Sequence, residues 1–203
     1  MVEYTYSSWV DKVAKEQIPS THERSSIGDI SKWKEGCGYM LNERNLSFEE
    51  LQKYIIDTTS FGMEELSDVE RKERESCVKQ AKEDIDKLLP EGINTVNNKI
   101  KEYVDEEGNI VGALWTTVRK EEDYLLLAMI HVKEEQRGKG YGKKLMDLVI
   151  EEAKEKDLEL VALGVYKTNE TAISLYKKCG FIIFDEEDSR YSMLRQVRED
   201  EVY

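Results

Sequence analysis

Between an apolar segment, Leu125–Val132, and an amphipathic one, Lys143–Lys156, runs Gln136-Arg137-Gly138-Lys139-Gly140-Tyr141-Gly142-Lys143-Lys144-Leu145. Its flanks predict a strand on one side and a helix on the other. Glycines at alternate positions open a tight loop whose backbone N–H groups can converge on one point, and the following helix aims its positive dipole end at that point. A strand–loop–helix junction of this kind suits a pyrophosphate.

Two phosphate loops are excluded by spacing. A Walker A loop needs a glycine five residues before its Gly-Lys pair and a Ser or Thr after the lysine; Arg137 and Lys144 hold those places, so no hydroxyl is available for magnesium. A dinucleotide fingerprint needs a third glycine three residues beyond the second. Counting from Gly138 and Gly140 puts Lys143 there. What remains is Arg137-x-x-Gly140-x-Gly142 after an apolar strand.

A second segment adds to the first. Leu158–Val165 reads as a short apolar strand, and Asn169 through Phe181 follows. Ala172, Ile173, Leu175, Tyr176 and Cys179 fall on one face of a helix that Gly180 stops. Asn169 and Tyr176 lie two turns apart on one face. Taken singly, an Asn at a helix start is an N-cap and a Tyr on an apolar stripe is core.

The glycine run followed by Asn169, the Leu175-Tyr176 pair and Gly180-Phe181 resembles motifs A and B of the GNAT family of N-acetyltransferases. The resemblance covers about the last hundred residues. It implies an α/β fold with a mixed, mostly antiparallel central sheet flanked by helices, the acyl-CoA N-acyltransferase fold. It further implies acetyl-CoA as co-substrate, with Arg137, Gly138, Gly140, Gly142 and Lys143 at the pyrophosphate. Ile130 and Val132 would lie against acetyl and pantetheine, Asn169 would position pantetheine or a water, and Tyr176 would be the general acid. The implied reaction carries acetyl from acetyl-CoA to a primary amine of a small molecule or peptide in a ternary complex. A non-catalytic CoA-binding sensor or assembly module of the same fold is the alternative.

The general base departs from the family pattern. Where several members carry a Glu or His in the strand before the loop, Leu126 and Ala128 stand here. Tyr124, Glu122, His131 or a water chain are the candidates. Strand alternation turns His131 away from the face of Ile130 and Val132, which reads as a structural or solvent-facing histidine.

The rest of the chain fits one domain with an extension. Its 203 residues suffice for a self-standing core. A helix is predicted over Ser8–Ile18, stopped by Pro19, and a short strand over Tyr39–Glu43. Ser47 with Glu50, and Ser67 with Glu70, form capping-box signatures for helices to about Thr59 and to Leu89. Strands follow at Val96–Val104, Ile110–Arg119 and Tyr124–Val132, the first two joined by the turn at residues 105–109. Phe181–Asp185 and Arg190–Gln196 read as a closing hairpin. Residues 1–36 lie outside the resemblance and are read as a packed extension, an arm of a homodimer or a piece of another domain; residues 37–203 form the acetyltransferase domain.

A net charge of −13 disfavours nucleic acid, whose phosphates it would repel, and is compatible with a cationic amine. No stretch has the apolar length of a membrane span, and Met1-Val2-Glu3-Tyr4 does not begin a signal peptide. Three cysteines (Cys37, Cys77, Cys179) without CxxC or Cys/His spacing read as reduced thiols in a cytoplasmic protein, and no metal site is expected there or at His22 and His131.

Overall fold

The computed structural model describes residues 40–60, 67–68, 71–72, 75–76, 79 and 85–197. The expected helix over Ser8–Ile18, His22, Cys37, Cys77, Glu70 and most of the helix after Ser67 lie outside them.

A seven-stranded sheet forms the centre: β1 (Asn42–Arg44), β2 (Asn98–Val104), β3 (Ile110–Arg119), β4 (Tyr124–Val132), β5 (Leu160–Tyr166), β6 (Ile182–Glu186) and β7 (Arg190–Gln196). Their order is β1-β2-β3-β4-β5-β7-β6. Every neighbouring pair is antiparallel except β4 and β5. Parallel neighbours need a crossover, which α2 (Tyr141–Glu155) provides. The other helices are α1 (Phe48–Ser60) and α3 (Glu170–Lys178), and residues 85–88 are also helical.

Local chemistry accounts for the boundaries. The Ser47 hydroxyl accepts from Glu50 N (3.1 Å) while the Glu50 carboxylate accepts from Ser47 N (2.6 Å), the reciprocal cap that starts α1. Asp105 Oδ1 accepts from the N–H groups of Glu107 and Asn109, tying the β2–β3 turn. β2 begins at Asn98 rather than Val96 because Asn97 adopts φ 65°, a left-handed conformation that a strand cannot contain. β1 lies at Asn42–Arg44, a little beyond the predicted Tyr39–Glu43, where Arg44 can pair with Glu102. The crossover helix starts at Tyr141, two residues before the predicted Lys143, so Gly142 and Lys143 belong to its first turn.

Strand alternation sorts the core into two faces. On one, Leu145, Met146, Val149 and Ala153 of α2 pack with Leu114, Leu125, Leu127, Val161, Leu163 and Tyr176. On the other, Leu51, Tyr54 and Ile55 of α1 pack with Ile100, Ala113, Trp115 and Met129. At about 25 cal/mol per Å² of apolar area, these faces supply the main drive for laying helices on both sides of the sheet.

Candidate active site

The parallel pair β4–β5 is short. It runs from Tyr124 opposite Leu160 to Leu127 opposite Leu163 and stops. Beyond that point β5 stays paired to β7 as far as Tyr166 opposite Arg190, and β4 stays with β3 as far as Val132 opposite Gly112. The sheet therefore splits between residues 128–132 and 164–166. A bulge sits at the fork: Trp115 faces Met129 while Thr116 faces Leu127, leaving Ala128 as the extra residue.

The split exposes backbone donors. Lys133 N donates to Val111 O (2.9 Å), and its partners two and four residues back, His131 and Met129, face β3 in the same register. Because N–H directions alternate along a strand, those of Ile130 and Val132 turn away from β3 into the split.

The glycine loop closes the end of this opening. Gly138 and Gly140 have φ of 76° and 84°, the left-handed region where a side chain costs strain, and a Cβ on either would meet no atom within 4 Å. Gly140 is the N-cap of α2, its carbonyl accepting from Lys144 N (3.3 Å). With no side chain capping this end, the first-turn N–H groups and the positive end of the helix dipole face the loop. Gly142 also meets a packing demand. A Cβ there would lie 3.1 Å from Leu175 Cδ2 and 3.9 Å from Val132 Cγ2, so this glycine lets β4, α2 and α3 meet.

The other predicted residues meet partners within the chain. Arg137 Nε donates to Val132 O (3.2 Å), bracing the loop against the end of β4. Lys143 pairs with Asp147 (2.8 Å), and Lys139 donates to Gln136 Oε1 (3.0 Å). Asn169 is the N-cap of α3, its Oδ1 accepting from Ala172 N (3.1 Å). Tyr176 is 5% exposed and belongs to the core, its ring 6.0 Å from that of Phe181. Burial raises its pKa above that of an ordinary phenol.

The candidate bases separate cleanly. Glu122 is exposed in a turn, and Leu126 is fully buried. Tyr124 is fully buried too, its hydroxyl without a hydrogen-bond partner and its pKa pushed up to about 12 by burial. His131 lies on the α1 face, 8% exposed, with Nδ1 3.2 Å from Thr58 Oγ1 and its ring 5.1 Å from Tyr54. Burial pushes its pKa down to about 4 and keeps the imidazole neutral.

Beside it lies a cluster that sequence reasoning missed. Glu102 is 2% exposed; it accepts from Tyr54 Oη at 2.5 Å and pairs with Arg44. Alternation along β2 was the available signal, because Glu102 shares the parity of Ile100 and so points at the buried face. On the opposite face Glu152 of α2 accepts from Thr116 Oγ1 at 2.9 Å, its pKa raised by burial.

Among the described residues, no group of three or more His, Cys, Asp or Glu is placed to hold a metal ion, and no helix is long and apolar enough to cross a membrane.

Comparison with known proteins agrees with this geometry. The chain is 28% identical over 135 residues to the uncharacterized N-acetyltransferase YycN of Bacillus subtilis (strain 168), covering 66% of this chain and 86% of that protein. Its fold is similar to the PaiA N-acetyltransferase of Thermoplasma acidophilum in complex with coenzyme A (TM-score 0.57, 18% identity, 77% of this chain and 99% of that one). It is also similar to the spermidine N-acetyltransferase of Vibrio cholerae in complex with CoA and spermine (TM-score 0.56, 18% identity, 77% and 95%). The model of the acetyltransferase (GNAT) family matches residues 63–181, more than half of the sequence, and the chain belongs to that family.

Proposed function

We propose that this protein transfers the acetyl group of acetyl-CoA to the primary amine of a small molecule or peptide. One observation carries the reading: the β4–β5 pairing ends at Leu127 and Leu163, so the N–H groups of Ile130 and Val132 face an opening that ends at the uncapped start of α2. The open space at Gly138 and Gly140 fits a pyrophosphate in the loop, and the split fits a pantetheine arm. The names of the relatives, and the coenzyme A in the complexes with a similar fold, support the same donor.

Acetyl-CoA supplies an acetyl thioester. The amine nitrogen forms a bond to the carbonyl carbon, the C–S bond breaks with its electrons on sulfur, and the amine's proton leaves to water. The thiolate then takes a proton. A lysine-like amine with a pKa of about 10.4 costs roughly 4–5 kcal/mol to deprotonate at pH 7. No carboxylate or titrating histidine of this chain is assigned that step, and water conducted along the split is the proposed base. Backbone N–H groups of β4 would bear the developing oxyanion, where loss of one donor costs on the order of 3 kcal/mol. Tyr176 is the proposed proton donor to the thiolate; as a phenol it is protonated at neutral pH, and it regains its proton from water.

Thiol release on mixing the protein with acetyl-CoA and polyamines, aminoglycosides, amino acids or lysine peptides tests the proposal. Release that depends on the amine is expected. Tight CoA binding with no release from any of them would instead make the protein a CoA-binding module.

A further inference from the structure

The glycine loop is the part of the site that its own backbone chemistry holds least. Gly138 and Gly140 both stand in the left-handed region, and glycine gives up more conformational freedom on ordering than any other residue. A loop ordered only when its ligand arrives loses affinity by that cost, so contacts that fix it beforehand favour binding. Its entry has such a contact, from Arg137 Nε to Val132 O. Its exit has another. Tyr141, the first residue of α2, donates its hydroxyl to Asp105 Oδ2 at 3.4 Å, across 36 positions of sequence.

Asp105 is itself fixed in place. It opens the β2–β3 turn, which lies beside the glycine loop because β3 stays with β4 to its end: Gly112 faces Val132, and Lys133 N donates to Val111 O (2.9 Å). Within the turn Asp105 Oδ1 accepts from Glu107 N (3.0 Å) and Asn109 N (2.8 Å), and Oδ2 accepts from Asn109 Nδ2 (3.1 Å). The backbone closes the same turn, Asp105 N donating to Asn109 O and Gly108 N to Asp105 O, each at 3.0 Å. The Tyr141 hydroxyl adds a donor from outside the turn, and its ring lies beneath Lys144 Nζ, 5.1 Å from the ring centre. Four donors therefore share the two carboxylate oxygens, and the length of the tyrosine side chain separates that charge from the first-turn N–H groups of α2.

We infer that Asp105 and Tyr141 are positioning residues for the pyrophosphate of acetyl-CoA: through their hydrogen bond the β2–β3 turn holds the start of α2 in place, so that the glycine loop is shaped before the ligand arrives. The inference rests on the acetyl-transfer reading above for the identity of the donor. Both residues act away from the thioester carbon, so their effect falls on CoA affinity rather than on the bond-making step. It also falls on the phosphate-bearing part of the donor, because the loop and not the split is what they brace. The hydrogen bond is long for an O–H···O contact, which places the expected effect in the lower part of the range for one such bond.

The test combines calorimetry of CoA binding with thiol-release kinetics on two donors, acetyl-CoA and S-acetylpantetheine, which carries the same thioester without the pyrophosphate. Tyr141→Phe keeps the ring and removes the hydroxyl. It should raise the Kd of CoA and the KM of acetyl-CoA by about threefold to fivefold, with the melting temperature little changed. The ratio of kcat/KM for acetyl-CoA to that for S-acetylpantetheine should fall by the same factor. Asp105→Asn should act in the same direction, since an amide nitrogen replaces one accepting oxygen. If Asp105→Asn fails to fold, Tyr141→Phe decides alone. An unchanged Kd in Tyr141→Phe, tighter CoA binding in Asp105→Asn, or variants that depress both donors equally would overturn this inference and leave acetyl transfer standing. Weaker CoA binding in Tyr141→Phe at an unchanged melting temperature, with no thiol release from any amine, would support the positioning role and remove acetyl transfer. No CoA binding by the unaltered protein would overturn both.

Discussion

Phe181 donates its backbone N–H to the carbonyl of Tyr176 (3.0 Å) and rests its ring 6.0 Å from the Tyr176 ring. With Gly180 at φ 81° and its N–H bonded to Lys177 O, this is a Schellman ending, whose usual hydrophobic contact is the Tyr176–Phe181 pair. The ring of Tyr176 is therefore fixed by the helix terminus while its hydroxyl is the proposed proton donor. Tyr176→Phe keeps the ring and removes the proton. Turnover should fall by about 10²-fold or more, the usual scale for a general acid, with acetyl-CoA affinity and melting temperature little changed. Tyr176→Ala should destabilise by roughly 3–5 kcal/mol. Steady-state kinetics, CoA titration and thermal melts of the two variants separate the roles; unchanged turnover of Tyr176→Phe across pH would remove the assignment.

The glycine loop makes a binding prediction. Gly140 stands at φ 84° with open space where a Cβ would be. Gly140→Ala meets only the backbone penalty, roughly 1–2 kcal/mol for a left-handed residue, so it should fold and bind CoA more weakly. Gly140→Asp carries the same backbone cost and adds a carboxylate facing the proposed pyrophosphate position. It should lose CoA binding, as read by calorimetry, while its melting temperature stays near that of Gly140→Ala.

Much of this was readable in the sequence because it rests on local periodicity and on residues with special backbone freedom. The strand–glycine–helix order, the Asn169 cap and the stop at Gly180 all fall in this class. The placement of Tyr176 in the core was readable as an apolar stripe. What was not readable depends on long-range register. The Ala128 bulge exists only relative to β3, and the end of the β4–β5 pairing only relative to the register of the two strands. The Glu102 cluster joins residues 48 positions apart, from β2 and α1. The close packing of Gly142 against the Leu175 side chain likewise depends on how α2 meets α3.

That Glu102 cluster gives a stability prediction. Glu102→Ala leaves the Tyr54 hydroxyl without its acceptor and leaves Arg44 its longer contact with Glu50 (3.7 Å). A loss of about 1–3 kcal/mol is expected from the stranded donor alone. Adding Tyr54→Phe removes that donor, so the double variant should regain part of the loss. Denaturant melts of the two single variants and the double variant form the cycle; strict additivity would show that the short bond contributes nothing.

His131 sets a pH dependence whose sign follows from its burial. Its folded-state pKa, about 4, lies below the ordinary value of 6.5, so between these two values the unfolded chain binds a proton that the folded chain does not. Stability from this group is fully present above pH 6.5, falls as pH drops from 6.5 toward 4, and is flat below that. At about 1.4 kcal/mol per unit of pKa difference, the loss is at most roughly 3 kcal/mol. His131→Asn keeps a polar group in reach of Thr58 and removes the titration. The variant's unfolding free energy should therefore vary less steeply than that of the unaltered protein between pH 4 and 6.5, and the two curves should run parallel above pH 7. Urea melts at half-unit intervals measure this directly, and equal slopes in the acid range would mean that His131 takes up its proton in the folded state as readily as in the unfolded one.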